Sequence, residues 1–310
     1  MDLFDVTRRV LQTPEIESVR PAGEFHVTNS CGAQIQEPWG KRIIGACHRA
    51  EWYRFKEYPK DNLPTIQALR KMYWGHAIEA AEVDLYKAAG VWIASHVKLW
   101  MPEYALVGEV DCFVRDPDSW TGQNLIAKGT ACSVIGVELK STWGYGSKGA
   151  IEAPAGTKTA PKPEHVVQAA IYHWFFRKFA NYWAIPYMAR DSGNARAHKL
   201  ITLEDGRISV NGEIQDFTIP HIFNRLGELY GKLRVDAPPD RDFQAVWDKE
   251  MLKSMADAGR LSKTDTDTVR KGNKLIKGDW NCSSCGWAHT CWNGVAMPYD
   301  LTIEDLIKGD

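Results

Sequence analysis

Two short stretches between residues 107 and 142 constrain the fold of this chain more than any other feature. The first, VGEVDCFVRD, alternates its side chains as a short extended segment does, and it contains Asp111. The second, IGVELKST, begins as an apolar β-branched run, so we expect residues 134–139 to form a buried strand. A buried strand should not carry Glu138 and Lys140 without a reason, because unpaired charge is costly in a low-dielectric interior.

Glu138 and Lys140 are two positions apart, so both side chains point to the same face of the strand. If Asp111 lies on the adjacent strand, one sheet edge presents two carboxylates and an ammonium group together. Carboxylates are the hard oxygen ligands that Mg²⁺ or Mn²⁺ prefers. In a metal-dependent hydrolase of phosphodiesters, a nearby lysine orients or deprotonates the water that attacks the phosphate. An ordinary Glu and Lys at a fraying strand end would give the same letters, so the interpretation depends on the rest of the chain.

The composition narrows the classes of protein to consider. The 310 residues allow one large domain or two modest ones, and an apolar content of 44% is ample for a buried core. A net charge of −1 excludes a globally basic coat for nucleic acid, so any contact with nucleic acid must come from a local groove. The sequence shows no secretion signal and no apolar run as long as a membrane span. With seven cysteines, this favours a reducing, cytoplasmic compartment and metal or catalytic use over disulfides.

A long helix is predicted to follow residue 62 and to carry polar residues toward the proposed site. Its start resembles a helix N-terminus with Pro64 near the first position, and it should run to about Ala89 and stop at Gly90. His76 and Glu79 are three positions apart and therefore share a face. His76 is either a metal ligand or a histidine with an ordinary structural role.

A second helix is predicted over residues 163–179. It is strongly apolar, but His165, Gln168 and Tyr172 form a polar stripe along it. Since a polar stripe on a buried helix indicates a face that lines a cleft, we expect this stripe to contact the catalytic water or to support the site.

Basic and aromatic residues outside these elements are candidates for contacts with DNA. A loop rich in Gly, Pro and Lys follows Lys140, and it is either a solvated linker or a flap that contacts phosphate. Its aromatic residues Trp143 and Tyr145 could stack on unpaired bases. The basic residues of the loop are Lys148, Lys158 and Lys162. A separate basic patch spans residues 260–277, where a solvated face is the alternative to a path for nucleic acid.

The C-terminal part of the chain contains the sharpest motif, C-x2-C-x5-C, formed by Cys282, Cys285 and Cys291. Three thiolates in ten residues predict a metal site that lacks one ligand. His289 would complete a zinc site. Cys47 would instead complete a [4Fe–4S] site and bring the two ends of the chain together.

Taken together, these residues resemble the PD-(D/E)XK nucleases of the RecB type. The resemblance is closest to the iron–sulfur branch, which contains CRISPR-associated exonucleases, phage recombination exonucleases and the AddB nuclease domain. It covers roughly residues 45–295, and its specificity lies in the order of the motifs. The matching residues, in chain order, are Cys47, His76 after Gly75, the G-x-x-D of Gly108 to Asp111, the E-x-K of Glu138 to Lys140, the Q-x-x-x-Y of Gln168 to Tyr172, and the three C-terminal cysteines.

The resemblance implies a role for each matched position. The implied ligands of Mg²⁺ or Mn²⁺ are His76, Asp111, Glu138 and the carbonyl oxygen of Leu139. The implied catalytic residues are Lys140, Asp111 and Glu138, supported from the helix by Gln168 and Tyr172. The implied ligands of a [4Fe–4S] cluster are Cys47, Cys282, Cys285 and Cys291.

We therefore predict an α/β, restriction-endonuclease-like fold with a mixed central sheet flanked by helices and an Fe–S-clamped C-terminal region. The predicted parts are an N-terminal segment 1–44, a nuclease domain 45–295 and a C-terminal tail 296–310. The predicted function is a metal-dependent DNA exonuclease that acts on single strands or DNA ends, in recombination, repair or CRISPR-type DNA processing. DNA is the expected partner, through a local basic groove, and no membrane partner is expected.

Two alternatives stay open at this point. The chain could be a non-catalytic nucleic-acid-binding subunit of a recombination complex that keeps the nuclease fold. It could also be a zinc-stabilised binding protein in which Asp111 and Glu138 are incidental.

Overall fold

The structure is a computed structural model that describes residues 24–37, 40–116, 133–143, 149–152, 158–272, 275 and 277–292. Most of the predicted segment 1–44, the predicted tail 296–310, and the loop residues Tyr145 and Lys148 lie outside these ranges. The chain packs into two compact units. Unit 1 is drawn from Met1–Gln34, Ile44–Ala46 and Thr65–Tyr230, and unit 2 from Ile35–Ile43, Cys47–Pro64 and Gly231–Asp310.

Strands dominate unit 1, and short helices dominate unit 2. In chain order the strands are β1 (Phe25–His26), β2 (Gly32–Glu37), β3 (Gly40–Gly45), β4 (Trp92–Met101), β5 (Leu106–Arg115), β6 (Val134–Val137), β7 (Lys140–Thr142), β8 (Tyr182–Ala189), β9 (Ala195–Thr202), β10 (Arg207–Val210) and β11 (Glu213–Thr218). The helices are α1 (Val27–Ser30), α2 (His48–Phe55), α3 (Ile66–Ala88), α4 (Pro163–Phe176), α5 (Ile219–Arg234), α6 (Lys249–Asp257), α7 (Lys263–Arg270), α8 (Trp280–Ser283) and α9 (Ala288–Trp292).

A mixed sheet forms the centre of unit 1. Its strands follow the order β1-β5-β6-β8-β9-β10-β11, with β4 paired to β5 and β7 paired to β8. Strand β5 is antiparallel to β4 and β6, whereas β6 and β7 are both parallel to β8. Strands β8 to β11 continue as antiparallel neighbours. The prediction of a mixed α/β sheet is therefore confirmed.

Helices cover both faces of this sheet, and β5 shows how. Val83 of α3 packs with Cys112, Val114 and their neighbours on β6. The ring of Phe113, which lies between these two residues, contacts Phe176 of α4 with the ring centroids 5.2 Å apart. Since successive side chains of a strand point to opposite faces, α3 and α4 lie on opposite sides of the sheet.

The two predicted helices of unit 1 are confirmed, with their ends close to the expected residues. Thr65 caps α3, because its hydroxyl accepts a hydrogen bond from the Ala68 amide at 3.2 Å. Gly90 follows the helix with φ +72°, the left-handed conformation that glycine adopts most easily. Pro163 is the first residue of α4, a position at which a proline loses no helical hydrogen bond.

Unit 2 joins a segment from early in the chain to one near its end. The Asp61 amide donates to the Gly286 carbonyl at 2.8 Å, and the Asn62 side chain donates to the Cys285 carbonyl at 3.0 Å. The Trp287 indole donates to the Tyr58 carbonyl at 2.8 Å. These bonds hold residues 58–62 against residues 285–287. Across the described parts of both units, every helix is too short or too polar to span a bilayer.

The sequence of residues 243–258 also predicts a helix, but in the structure this helix, α6, begins only at Lys249. The backbone before it is held by hydrogen bonds from elsewhere in unit 2. The Gln244 amide donates to the Asp279 carboxylate at 2.6 Å, and the Trp247 amide donates to the Lys277 carbonyl at 2.7 Å. Because these amides are already paired, the helix starts only after Asp248, whose side chain caps it.

Candidate active site

The register of two strands brings Asp111 next to Glu138. Strands β5 and β6 are antiparallel, with Cys112 opposite Val137. Asp111, which precedes Cys112, is therefore beside Glu138, which follows Val137. The Leu139 amide donates a hydrogen bond to Asp111 Oδ2 at 2.6 Å. The predicted strand 134–139 is correspondingly shorter and ends at Val137, since the Leu139 amide bonds to a side chain instead of to a neighbouring strand.

Lys140 completes the cluster on the same side of the chain as Glu138, as the two-residue spacing predicts. Its ammonium group lies 2.6 Å from Glu138 Oε1 and 3.1 Å from Gln168 Oε1. The Glu138 side chain is only 2% exposed and that of Lys140 is 17% exposed. This ion pair is therefore largely shielded from water, where charge interactions are strong.

Burial and the neighbouring charges shift the pKa values of all three groups of the cluster. Burial, followed by repulsion from Glu138, raises the pKa of Asp111 well above its ordinary value. Burial also raises the pKa of Glu138, although the Lys140 ammonium opposes this effect. Burial would lower the pKa of Lys140, but attraction to Glu138 and Asp111 outweighs burial, so its pKa is raised and it is charged. Two carboxyl groups thus share one cation.

One oxygen of the cluster lacks the partner that a buried acceptor normally has. Glu138 Oε1 accepts from Lys140, but Glu138 Oε2 has no hydrogen-bond partner among the described residues. Most buried polar atoms in proteins are paired with protein or water, and a buried carboxylate oxygen without a donor is costly. A cation beside this oxygen would remove the cost.

Helix α4 supports the cluster from one side of the sheet. Gln168 accepts from Lys140 and donates from Nε2 to the Thr28 hydroxyl at 3.0 Å, which fixes the orientation of its amide. The Tyr172 hydroxyl donates to the Glu109 carbonyl at 3.0 Å. A Cβ on Gly108 would lie 2.7 Å from the Tyr172 ring, so glycine at this position makes room for the tyrosine.

His165, the third residue of the predicted stripe, has a different environment. Its Nδ1 lies 2.5 Å from the Tyr187 hydroxyl. Burial, together with the charges of Lys140 and Lys162, lowers the pKa of His165 to about 2. His165 is therefore neutral at ordinary pH, and its Nδ1 bonds to Tyr187 and not to the acidic cluster.

Helix α3 contributes Glu79 to the electrostatics of the site. The negative charge of Glu79 acts on Asp111, Glu138 and Lys140. His76 has a side chain that is 79% exposed, and its Nδ1 lies 3.8 Å from Glu79 Oε2. The sequence spacing indicates that these two residues share a face of the helix, but it does not indicate which one approaches the sheet.

The four predicted cluster cysteines are all in unit 2. Cys47 precedes α2, Cys282 lies in α8, Cys285 follows α8, and Cys291 lies in α9. None of them forms a disulfide with another described cysteine. Burial and the Asp242 carboxylate raise the pKa of Cys47 to about 12, and Cys285 acts on it in the same direction. Burial also raises the pKa of Cys282 to about 12, with smaller contributions from Cys285 and Cys291.

His289, the alternative zinc ligand, lies in α9 and is exposed. Its backbone amide donates to the Asp61 carboxylate at 3.1 Å. Among the residues that the structure describes, no three His, Cys, Asp or Glu side chains are grouped closely enough to hold a metal ion as they stand.

No family model matches this chain, and no curated protein matches it. A crystal structure of SSO0001 is similar at 13% sequence identity and a TM-score of 0.41, over 97% of this chain and 98% of that chain. What the chain itself establishes is an α/β protein in which a mixed sheet, flanked by helices, carries a buried cluster of two carboxyl groups and a lysine.

Proposed function

We propose that this protein is a metal-dependent DNA exonuclease of the PD-(D/E)XK superfamily, RecB type, with a restriction-endonuclease-like sheet. The observation that carries the proposal is the cluster of Asp111, Glu138 and Lys140, in which Glu138 Oε2 has no partner among the described residues. Burying such a cluster costs folding free energy, and apolar side chains would serve a purely structural role better. A charged cluster at this cost is typical of a catalytic site.

The donor set of the cluster fits Mg²⁺ or Mn²⁺. Both ions prefer oxygen ligands, and the residues that would bind one are Asp111, Glu138 and the Leu139 carbonyl. His76 is a further proposed ligand from the resemblance, and the charge of Glu79 would add to the negative potential that attracts the cation. When bound, such an ion supplies Lewis-acid stabilisation of phosphate charge and makes a water more acidic.

The side chains of this chain would perform the remaining steps. Lys140 is charged and held between Glu138 and Gln168, so it is positioned to donate to a phosphate oxygen or to orient the attacking water. Gln168 would keep Lys140 in place through its bond to Thr28. Tyr172 would hold β5 through the Glu109 carbonyl, and with it Asp111.

We also propose that Cys47, Cys282, Cys285 and Cys291 hold a [4Fe–4S] cluster. Four thiols of one unit match the ligand number and type of such a cluster. The hydrogen bonds between residues 58–62 and residues 285–287 keep the two cysteine-bearing segments together without the cluster. The cluster would therefore add a covalent clamp to an existing contact within unit 2.

DNA is the proposed partner of the predicted basic patch. Part of that patch is neutralised within unit 2, because Lys277 lies 2.5 Å from Asp265 and Arg260 lies 3.6 Å from Glu37. Among the described residues at α7 and just after it, the exposed basic side chains are those of Lys263, Arg270 and Lys271. Three exposed cations near one helix suit contact with a phosphate backbone.

The test is a cleavage assay with single- and double-stranded DNA labelled at the 5′ or 3′ end, with Mg²⁺ and Mn²⁺ compared. We expect Lys140→Ala and Asp111→Ala to reduce nucleotide release by at least about 100-fold, because each removes a charge needed in the transition state. Lys87→Ala is the matched control, since Lys87 is an exposed lysine of α3 that pairs with Asp84.

The variants must remain folded for this test to be valid, which circular dichroism would establish. Cleavage by Lys140→Ala at the wild-type rate would reject the assignment of the site. Tight DNA binding by the wild-type protein with no nucleotide release in either metal would instead indicate a non-catalytic binding subunit.

A further inference from the structure

Two large aromatic side chains are exposed in unit 1 near the candidate site. Trp74 of α3 is 44% exposed, and Trp143, which follows β7, is 53% exposed. Their rings are stacked, with centroids 5.8 Å apart and an interplanar angle of 17°. Stacking covers one face of each ring and leaves the remaining apolar surface in water, which is unfavourable unless a ligand covers it.

The aromatic pair is connected to the acidic cluster through β7. Trp143 comes three residues after Lys140, which is the first residue of β7 and part of the cluster. Three residues of extended chain span at most about 10 Å. Trp74 of α3 stacks on Trp143, so a ligand of a few nucleotides at the acidic cluster would be long enough to reach the pair.

A fixed positive charge lies beside the aromatic pair. The Arg190 guanidinium donates to the Ser141 hydroxyl at 2.7 Å and to the Lys71 carbonyl at 2.9 Å. A Cβ on Gly75 would lie 3.6 Å from Arg190 Nη2, which places the guanidinium against the helix next to Trp74. A guanidinium has five N–H donors, and a group held in this way can bind a phosphate oxygen with those that remain.

We propose that Trp74 and Trp143 form a platform on which an unpaired base of single-stranded DNA stacks, with Arg190 contacting the adjacent phosphate. This inference rests on the proposed nuclease function and names the form of DNA that the site accepts. A tryptophan face stacks on any base, so the platform does not read sequence. Bases inside a duplex are already stacked on both sides, so the platform selects single strands and frayed ends.

The direct test measures binding without cleavage. A short fluorescein-labelled oligothymidine is titrated with Lys140→Ala protein, and its anisotropy gives Kd. Adding Trp143→Ala should raise Kd about tenfold, which corresponds to ~1.4 kcal/mol and lies within the range for loss of one stacked base. Trp143→Phe, which keeps a π face, should retain most of the affinity.

The matched control is Trp100→Ala, because Trp100 is 49% exposed on β4 and is not part of the stacked pair. In the Lys140→Ala background, it should bind oligothymidine with the same Kd as Lys140→Ala alone, which is the parent protein of these variants. An oligonucleotide without bases should bind more weakly to the parent protein and lose nothing further with Trp143→Ala. The platform is wrong if Trp143→Ala binds oligothymidine as tightly as Trp100→Ala, or if its loss is equally large on the abasic strand.

These outcomes separate the platform from the nuclease activity. If the wild-type protein cleaves DNA but Trp143→Ala binds like the control, the platform alone is rejected. If the wild-type protein releases no nucleotides but Trp143→Ala loses base-dependent affinity, the platform is supported and the nuclease proposal fails.

Discussion

The carboxyl groups of Asp111 and Glu138 lie beside a single ammonium group, that of Lys140. Burial disfavours ionisation of both carboxyl groups, and repulsion from Glu138 adds to this at Asp111. Keeping both groups ionised without a further cation would therefore cost folding free energy. Natural proteins retain such destabilising groups chiefly where function requires them. We therefore propose that this free-energy cost is retained because the cluster binds a divalent cation.

A second buried group predicts how stability depends on pH. His173 is 3% exposed, and its Nδ1 accepts a hydrogen bond from the Thr202 amide at 3.0 Å. Burial lowers the pKa of His173 from 6.5 to about 4. The unfolded chain therefore takes up the proton first as the pH falls, and stability is lost between about pH 6.5 and pH 4.

Urea unfolding of wild-type protein and His173→Gln at pH 7 and pH 5 tests this dependence. The pKa of His173 is lower in the folded protein than in the unfolded chain. This residue alone should therefore lower the free energy of unfolding of the wild-type protein by about 2 kcal/mol between pH 7 and pH 5. The glutamine variant should lose less stability over the same range by about that amount, since its side chain does not titrate. An identical loss in both proteins would contradict the assignment.

At the scale of elements, Gly136 controls the packing of β6 against β8. It lies opposite Trp183 in the parallel register, and a Cβ at this position would lie 2.1 Å from the Trp183 ring. We expect Gly136→Ala to lower the free energy of unfolding by about 2–3 kcal/mol, because the indole must move within a packed core. Denaturant unfolding measures this change.

Gly227→Ala is the matched control for Gly136→Ala. Gly227 lies inside α5, and a Cβ there would meet no atom within 4 Å. Alanine should be neutral or stabilise the protein by about 0.5–1 kcal/mol, because it favours the helix more than glycine does. If both variants unfold at the same denaturant concentration, Trp183 does not limit the space at Gly136.

Elements with a strong local pattern could be predicted from the sequence, and with them the centre of the site. The alternation of β5 and the capped apolar repeat of α3 are local properties, and both elements lie where they were expected. The two-residue spacing of Glu138 and Lys140 likewise predicted their common side, and Asp111 lies beside them. Periodicity was sufficient here because each pattern is set by residues close together in the sequence.

Other features depend on groups far apart in the sequence and could not be predicted locally. The start of α6 is set by Asp279 and Lys277, which bond to the backbone of Gln244 and Trp247. Likewise, the rotation of α3 against the sheet decides that the charge of Glu79 acts on the acidic cluster. A helical repeat specifies which residues share a face, but not how that face is turned.

At the scale of the whole molecule, unit 2 contains the four cysteines proposed to bind iron. We expect Cys285→Ser and Cys47→Ser to lose bound iron and the brown colour of anaerobically purified protein, because a cubane cluster needs all four thiolates. Cys31→Ser is the control, since Cys31 is a buried thiol of unit 1 outside the motif. Metal analysis and the visible absorption spectrum measure the outcome.

The same preparation tests the zinc alternative. Stoichiometric zinc with no visible absorbance in the wild-type protein would contradict the iron–sulfur assignment. If iron is bound, loss of the cluster should also make residues 277–292 more sensitive to proteolysis, because one clamp of unit 2 is removed while its hydrogen bonds remain.

We propose that Asp111, Glu138 and Lys140 form one site for a divalent cation, and calorimetric titration with Mn²⁺ tests this proposal most directly. Wild-type protein and Asp111→Asn should be compared, since asparagine keeps the acceptor for the Leu139 amide but removes the charge. We predict that the wild-type protein binds Mn²⁺ and that Asp111→Asn binds it at least about tenfold more weakly. Equal Mn²⁺ affinity in the two proteins, or no binding by the wild type, would contradict the account.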